Sequence, residues 1–110
     1  MMIRTITTAI TTLLLLLASS VQAAGDIERG EHLAYDCISC HGMEGEGNFE
    51  SPPIAGLDEE YIVKQLRDFC KGKESMDGMM TLYTEDRSDQ EMQDLAAYWA
   101  SRPKPAALPQ

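Results

Sequence analysis

The chain has three cysteines, an odd number and too few to build a disulfide framework. Cationic side chains are scarce as well, with 9 Lys and Arg against 18 Asp and Glu. That imbalance excludes nucleic acid as a partner, because such a surface repels a phosphate backbone, and it repels anionic lipid for the same reason. No stretch alternates apolar and polar residues with period two, so the expected class is all-α. No internal repeat and no linker rich in Pro or Gly divides the chain, which points to one domain. Only one long apolar run is present, and it lies near the N-terminus.

That run, "TTLLLLLASS" (Thr11 to Ser20), follows Arg4 and precedes "VQA". Positive n-region, apolar h-region and small residues, in that order, are the pattern of an export signal. The run falls short of the roughly 18 continuous apolar residues of a membrane span. Residues 1–23 are therefore read as a signal peptide cleaved after Ala23, and residues 24–110 as one exported domain without a membrane span, expected in the periplasm. The 87 residues that remain are few for a generous apolar core, and a large apolar cofactor would supply what a disulfide framework does not. Their formal charge is −10, which keeps the domain soluble and steers encounters with a basic patch on another protein.

Helical spacing predicts three main helices. The first runs from about Asp26, its N-cap, to Asp36, with Ile27, Gly30 and Leu33 facing inward. The second starts after Leu57 with Asp58 as cap, carries Ile62, Leu66 and Phe69 on one face, and ends at "KGK" (Lys71 to Lys73). The third has a capping box, Ser88 with Glu91, an apolar stripe of Met92, Leu95, Ala96 and Trp99, and a stop at Pro103. Between them, Gly42 to Gly56 reads as a loop passing over something, and Glu74 to Arg87 has too little periodicity to predict a helix.

The residues that carry chemistry are "YDCISCHG" (Tyr35 to Gly42). A redox dithiol of thioredoxin type needs C-x-x-C at the end of a strand within a parallel sheet, and no strand is predicted. A structural zinc site needs a fourth ligand beside Cys37, Cys40 and His41, for which Cys70 or His32 would have to serve. C-x-x-C-H is also the attachment signal for a c-type haem: the cysteines add to two vinyl groups as thioethers, and the histidine takes the iron. Three Cys and two His would fall into this pattern by chance with odds on the order of one in a thousand. One copy of the motif means one covalently bound haem c.

Iron held by His41 has one axial position left. Met43 lies too close in the chain, Met92 belongs to the core stripe, and His32 sits on the helix entering the motif. Met76, Met79 and Met80, in the irregular stretch, are the candidates. A soft, neutral thioether favours ferrous iron and fills the sixth site, which suits electron transfer. An open sixth site would instead suit a haem-based sensor.

"AGDIERGEHLAYDCISCHG", "SPPIAG", "YIVKQLRDFCKGK", "MT" and "SDQEMQDLAAYW" follow one another in the order shown by class I c-type cytochromes. Over residues 24–110 the chain resembles that family. The pattern is similar to the cytochrome subunit of flavocytochrome c sulfide dehydrogenase and to single haem domains of periplasmic two-haem cytochromes. The resemblance implies a small cytochrome c fold wrapped round one haem, and an electron-transfer protein rather than an enzyme. It also implies redox protein partners, with a flavoprotein sulfide dehydrogenase as electron donor; a freely diffusing carrier to a terminal oxidase or reductase is the alternative. In the family the ligand methionine lies eight residues before the cap of the last helix, which from Ser88 gives Met80, with Met76 as runner-up. It further implies that the Pro52 carbonyl holds the ring N–H of His41, that Ile54 packs on the haem face, and that Gly30 and Tyr35 cross the last helix at Leu95 and Tyr98. Cys70 departs from the family pattern, and is either inert and half-buried or a disulfide partner for another chain.

Overall fold

A computed structural model describes residues 25–73 and 78–106. The expected leader and Met76 lie outside the described residues. Every regular element described is helical: α1 (Ile27–Leu33), α2 (Tyr35–His41), α3 (Glu59–Cys70), α4 (Met79–Thr84) and α5 (Asp89–Ser101).

The architecture is organised around α5, whose start is fixed by the predicted capping box. Ser88 Oγ accepts the Glu91 amide at 3.1 Å, and the Glu91 carboxylate accepts the Ser88 amide at 3.1 Å, so two orphan donors of the first turn are satisfied reciprocally. Along α5 the stripe Met92, Leu95, Ala96 and Trp99 is buried as expected. The helix ends at Arg102, whose extended backbone is what the following Pro103 favours.

α1 crosses α5 at Gly30. A side chain there would overlap the Asp94 backbone, so only glycine lets the two helices approach this closely. Asp94 makes the crossing polar as well as tight. Its buried carboxylate accepts the Asp26 amide at 2.7 Å and the Gln90 amide at 2.9 Å, and lies 3.2 Å from Arg29 Nε. Burial alone would raise this carboxyl; the three donors outweigh it and hold the group below its ordinary value.

α3 also packs on α5, with Ile62 buried and Val63 and Leu66 partly so. Asp58 caps it by accepting the Tyr61 amide at 2.9 Å. α4 rests on α3, tied by Thr81 Oγ1 donating to the Phe69 carbonyl at 2.9 Å.

Four sequence expectations need correction. The first helix is two helices, because the chain bends at Ala34 between α1 and α2. Ile27 is 51% exposed and does not face inward. Tyr35 is 76% exposed, and the buried residue at the bend is Ala34; the crossing is made by Gly30 with Asp94 and Tyr98. The stretch 78–87 contains a helix, α4, which is only six residues long and too short to show a period. It begins at Gly78 with φ +81°, a left-handed conformation that glycine adopts without strain.

The core is thin. Its buried cluster is Ala34, Ala55, Ile62, Leu95, Ala96 and Trp99, half of it alanine. Meanwhile Met79, Leu82 and Tyr83 of α4 remain largely exposed.

Candidate haem site

Helical geometry places residues three and four apart on one face. In α2 this brings Cys37, Cys40 and His41 together on about one turn, and Gly42, with φ +91°, ends the helix directly after the histidine. Cys37 is half-buried, Cys40 exposed and His41 buried, at 8% exposure.

The loop 42–56 folds back on the end of α2 and is tightly pinned. The Gly47 amide donates to the His41 carbonyl at 2.7 Å, and the Ile54 amide to the Gly45 carbonyl at 2.9 Å. Asn48 is its keystone: Oδ1 accepts the amides of Glu50 and Ser51, while Nδ2 donates to the Cys40 carbonyl at 3.0 Å. Sequence reading missed this residue, although an Asn before two amides it can reach is an Asx-turn signal.

The pinned loop delivers the Pro52 carbonyl to His41. Nδ1 lies 2.7 Å from the Pro52 oxygen. A carbonyl only accepts, so Nδ1 carries the proton and Nε2 keeps its lone pair for a metal. The Pro52 contact expected from the family pattern is thus present as geometry. Ile54 is half-buried against the core cluster.

Burial pushes the Cys37 thiol up, with the nearby Asp36 adding to this and Trp99 and Arg87 partly offsetting it. A redox dithiol needs the opposite shift, toward thiolate at neutral pH. The zinc reading fares no better. Among the described residues no group of three or more His, Cys, Asp or Glu side chains converges as metal ligands. His32 is exposed, and Cys70 points its thiol toward the Glu85 carbonyl, 3.8 Å away.

Met80 stands on another element. It is half-buried on α4, where its carbonyl accepts Thr84 Oγ1 at 2.8 Å. Trp99 lies beside Cys37 closely enough to influence the thiol, yet its Nε1 is a buried donor without a conventional hydrogen-bond partner. Sequence reading placed Trp99 in the core stripe; its position beside the motif depends on the tertiary packing of the helices.

The family profile described as "Cytochrome c" matches residues 27–102. The chain belongs to the cytochrome c family. Cytochrome c4 of Pseudomonas aeruginosa is 41% identical over 89 residues, covering 78% of this chain and 43% of that protein. Cytochrome c-554(547) of Halothiobacillus neapolitanus is 38% identical over 90 residues, covering 71% of this chain and 98% of that cytochrome. Among solved structures, thiosulfate dehydrogenase from Marichromatium purpuratum superposes with a TM-score of 0.67 at 27% identity, over 78% of this chain and 21% of that one. The chain spans about half the length, or less, of the cytochromes c4 that it matches.

As a member of the cytochrome c family, the chain carries a covalently bound haem c. Its residues fit that group. Two thiols lie one helical turn apart, a buried imidazole has its Nε2 free for iron, a buried indole donor has no conventional partner beside them, and α4 offers apolar surface. Among the described residues, no helix is long and apolar enough to cross a membrane.

Proposed function

We propose that this cytochrome is a periplasmic one-haem electron carrier with His41 and Met80 as axial ligands. Cys37 and Cys40 hold the haem as thioethers, the Pro52 carbonyl orients His41, and Ile54 packs against the haem face. The observation that carries the reading is the His41–Pro52 contact at 2.7 Å on a helix that also presents both thiols. Bound there, haem would supply one-electron redox chemistry.

The protein's own part is positional. Pro52 fixes the tautomer and rotation of His41, so Nε2 is presented as a donor in both oxidation states. Met80 would offer the iron a soft, neutral thioether, which would favour the reduced state. The thioether bonds keep the cofactor on the chain through every turnover, and no substrate bond is made or broken here.

For the electron donor we propose a dehydrogenase that oxidises an inorganic sulfur compound. The sequence pattern favours a flavoprotein sulfide dehydrogenase, and the likeness to a thiosulfate dehydrogenase supports the wider class. A second reading, a freely diffusing carrier to a terminal oxidase or reductase, is favoured by the match to nearly the whole of cytochrome c-554(547). Co-purification with a dehydrogenase from the native source separates the two.

The ligand assignment is tested by the weak long-wavelength Fe–S charge-transfer band of the oxidised protein. The band is expected in the wild type and should vanish in Met80→Ala. Survival of the band in that variant, with loss in Met76→Ala, refutes Met80. Absence of the band from the wild type favours an open-site sensor.

A further inference from the structure

One side chain bridges α2, which carries the two thiols, to α5. Arg87, just before α5, donates from Nη2 to Asp36 Oδ2 at 2.6 Å and from Nη1 to Glu91 Oε2 at 3.2 Å. Its side chain is 20% exposed, against 56% for Asp36 and 35% for Glu91. Asp36 directly precedes Cys37. A guanidinium is therefore fixed between two carboxylates beside the first thiol of the motif.

The helix does not require this cation. Ser88 and Glu91 complete the capping box through their own backbone and side-chain bonds. Asp36 is the residue directly before Cys37, and Arg87 is held 2.6 Å from its carboxylate, so both charges lie near the Cys37 sulfur and act on it in opposite senses. Charges that act on that sulfur also act on a redox group bonded to it. A cation there stabilises an added electron, and an anion opposes it.

We propose that Arg87 and Asp36 together set the reduction potential of the haem bonded at Cys37, Arg87 raising it and Asp36 opposing. The step is the addition of one electron with no proton and no bond change, so only the field at the site matters. Arg87 is the less exposed member and is less screened by water. Its removal therefore shifts the potential more than removal of Asp36. The inference rests on Cys37 being a haem-bonded thiol, as proposed above.

The test uses the holoprotein and three variants, Arg87→Gln, Arg87→Lys and Asp36→Asn, with midpoint potentials measured by spectroelectrochemical titration. Arg87→Gln is expected to lower the ferrous-to-ferric ratio at fixed solution potential by roughly three- to tenfold, the size for one partly exposed charge at an effective dielectric of about 20. Arg87→Lys keeps the charge and should restore most of that loss. Asp36→Asn should shift the ratio the other way, by less, and its effect should shrink with added salt. The Fe–S charge-transfer band should be unchanged in all three.

A purely structural role gives a different pattern: both charge-removing variants move the potential in one direction, or neither moves it. Either result overturns the proposal, as does a shift accompanied by loss of the band. If Arg87→Gln does not fold, Asp36→Asn decides, since a rise supports the proposal and a fall or no change overturns it. The pyridine haemochrome α-band of wild type and Cys37→Ala, which shifts with each vinyl group left unreacted, reports whether haem is bonded at Cys37. Failure there removes the underlying site assignment; bonded haem without opposite-signed shifts removes only this inference.

Discussion

Replacing Gly30 with alanine sets two effects against each other. In an isolated helix the change is favourable by about 1 kcal/mol, because alanine loses less backbone entropy on folding. At the crossing of α1 with α5 the new methyl group would lie 2.7 Å from Tyr98 Cβ and 2.7 Å from the Asp94 carbonyl carbon, and closer still to its oxygen. Two of those atoms are backbone, so rotation of a side chain cannot relieve the overlap. The helices must separate by on the order of 1 Å, which also stretches the contacts of Asp94 with Asp26 and Arg29. Overpacking of this kind costs about 1–3 kcal/mol and more when the obstacle is rigid; loosening a buried carboxylate adds roughly 1–2 kcal/mol. With the propensity gain subtracted, Gly30→Ala should destabilise the holoprotein by about 1–4 kcal/mol. At about 4–8 °C per kcal/mol for a domain of this size, Tm should fall by roughly 4–30 °C. Far-UV circular dichroism on heating, paired with urea unfolding, measures it. A variant as stable as the wild type, or more so, would refute the claim that this contact sets the helix crossing.

Asp94→Asn keeps the side-chain shape but leaves one acceptor oxygen and adds an N–H pair facing the Asp26 amide, Gln90 or the Arg29 guanidinium. Unfolding in urea should show a loss of about 2–3 kcal/mol, and an unchanged midpoint would contradict the assigned network. Acid dependence follows from the same group and from Asp89. Hydrogen bonds from Arg67 and then Gln93 lower Asp89 from 3.8 to about 2, and Asp94 is lowered also. Because both are depressed, their stabilisation is present above the unfolded value of 3.8 and is lost as pH falls below it, through about 2 for Asp89. Asp89 is half-exposed and contributes the smaller share. Urea midpoints from pH 6 to pH 2 should decline mainly below about pH 4, with a shallower decline in Asp94→Asn; a flat profile would count against both assignments.

Local signals were legible because their causes are local. The caps at Asp26, Asp58 and Ser88, the stripe on α5 and the stop near Pro103 each need only neighbours within a turn or two of helix, and all are present. The spacing Cys37, Cys40, His41 is likewise a statement about one helical turn. The break at Ala34 left no such mark, since every residue from 27 to 41 is compatible with a continuous helix; α1 and α2 separate because one must cross α5 and the other must meet loop 42–56. α4 was missed because six residues are too few to display a period, and its stability comes from packing on α3.

The sequence by itself determined the helical class, the helix caps and the motif, since propensity, capping and covalent spacing act within a few residues. Family pattern, not periodicity, singled out Pro52. Tertiary structure alone decided that the Pro52 carbonyl reaches His41 across eleven positions, held by Asn48. It alone put Trp99 beside Cys37 and joined Arg87 to Asp36 across fifty-one positions. Such contacts depend on how the helices cross, and the crossing is fixed by the close approach at Gly30 and the buried carboxylate of Asp94.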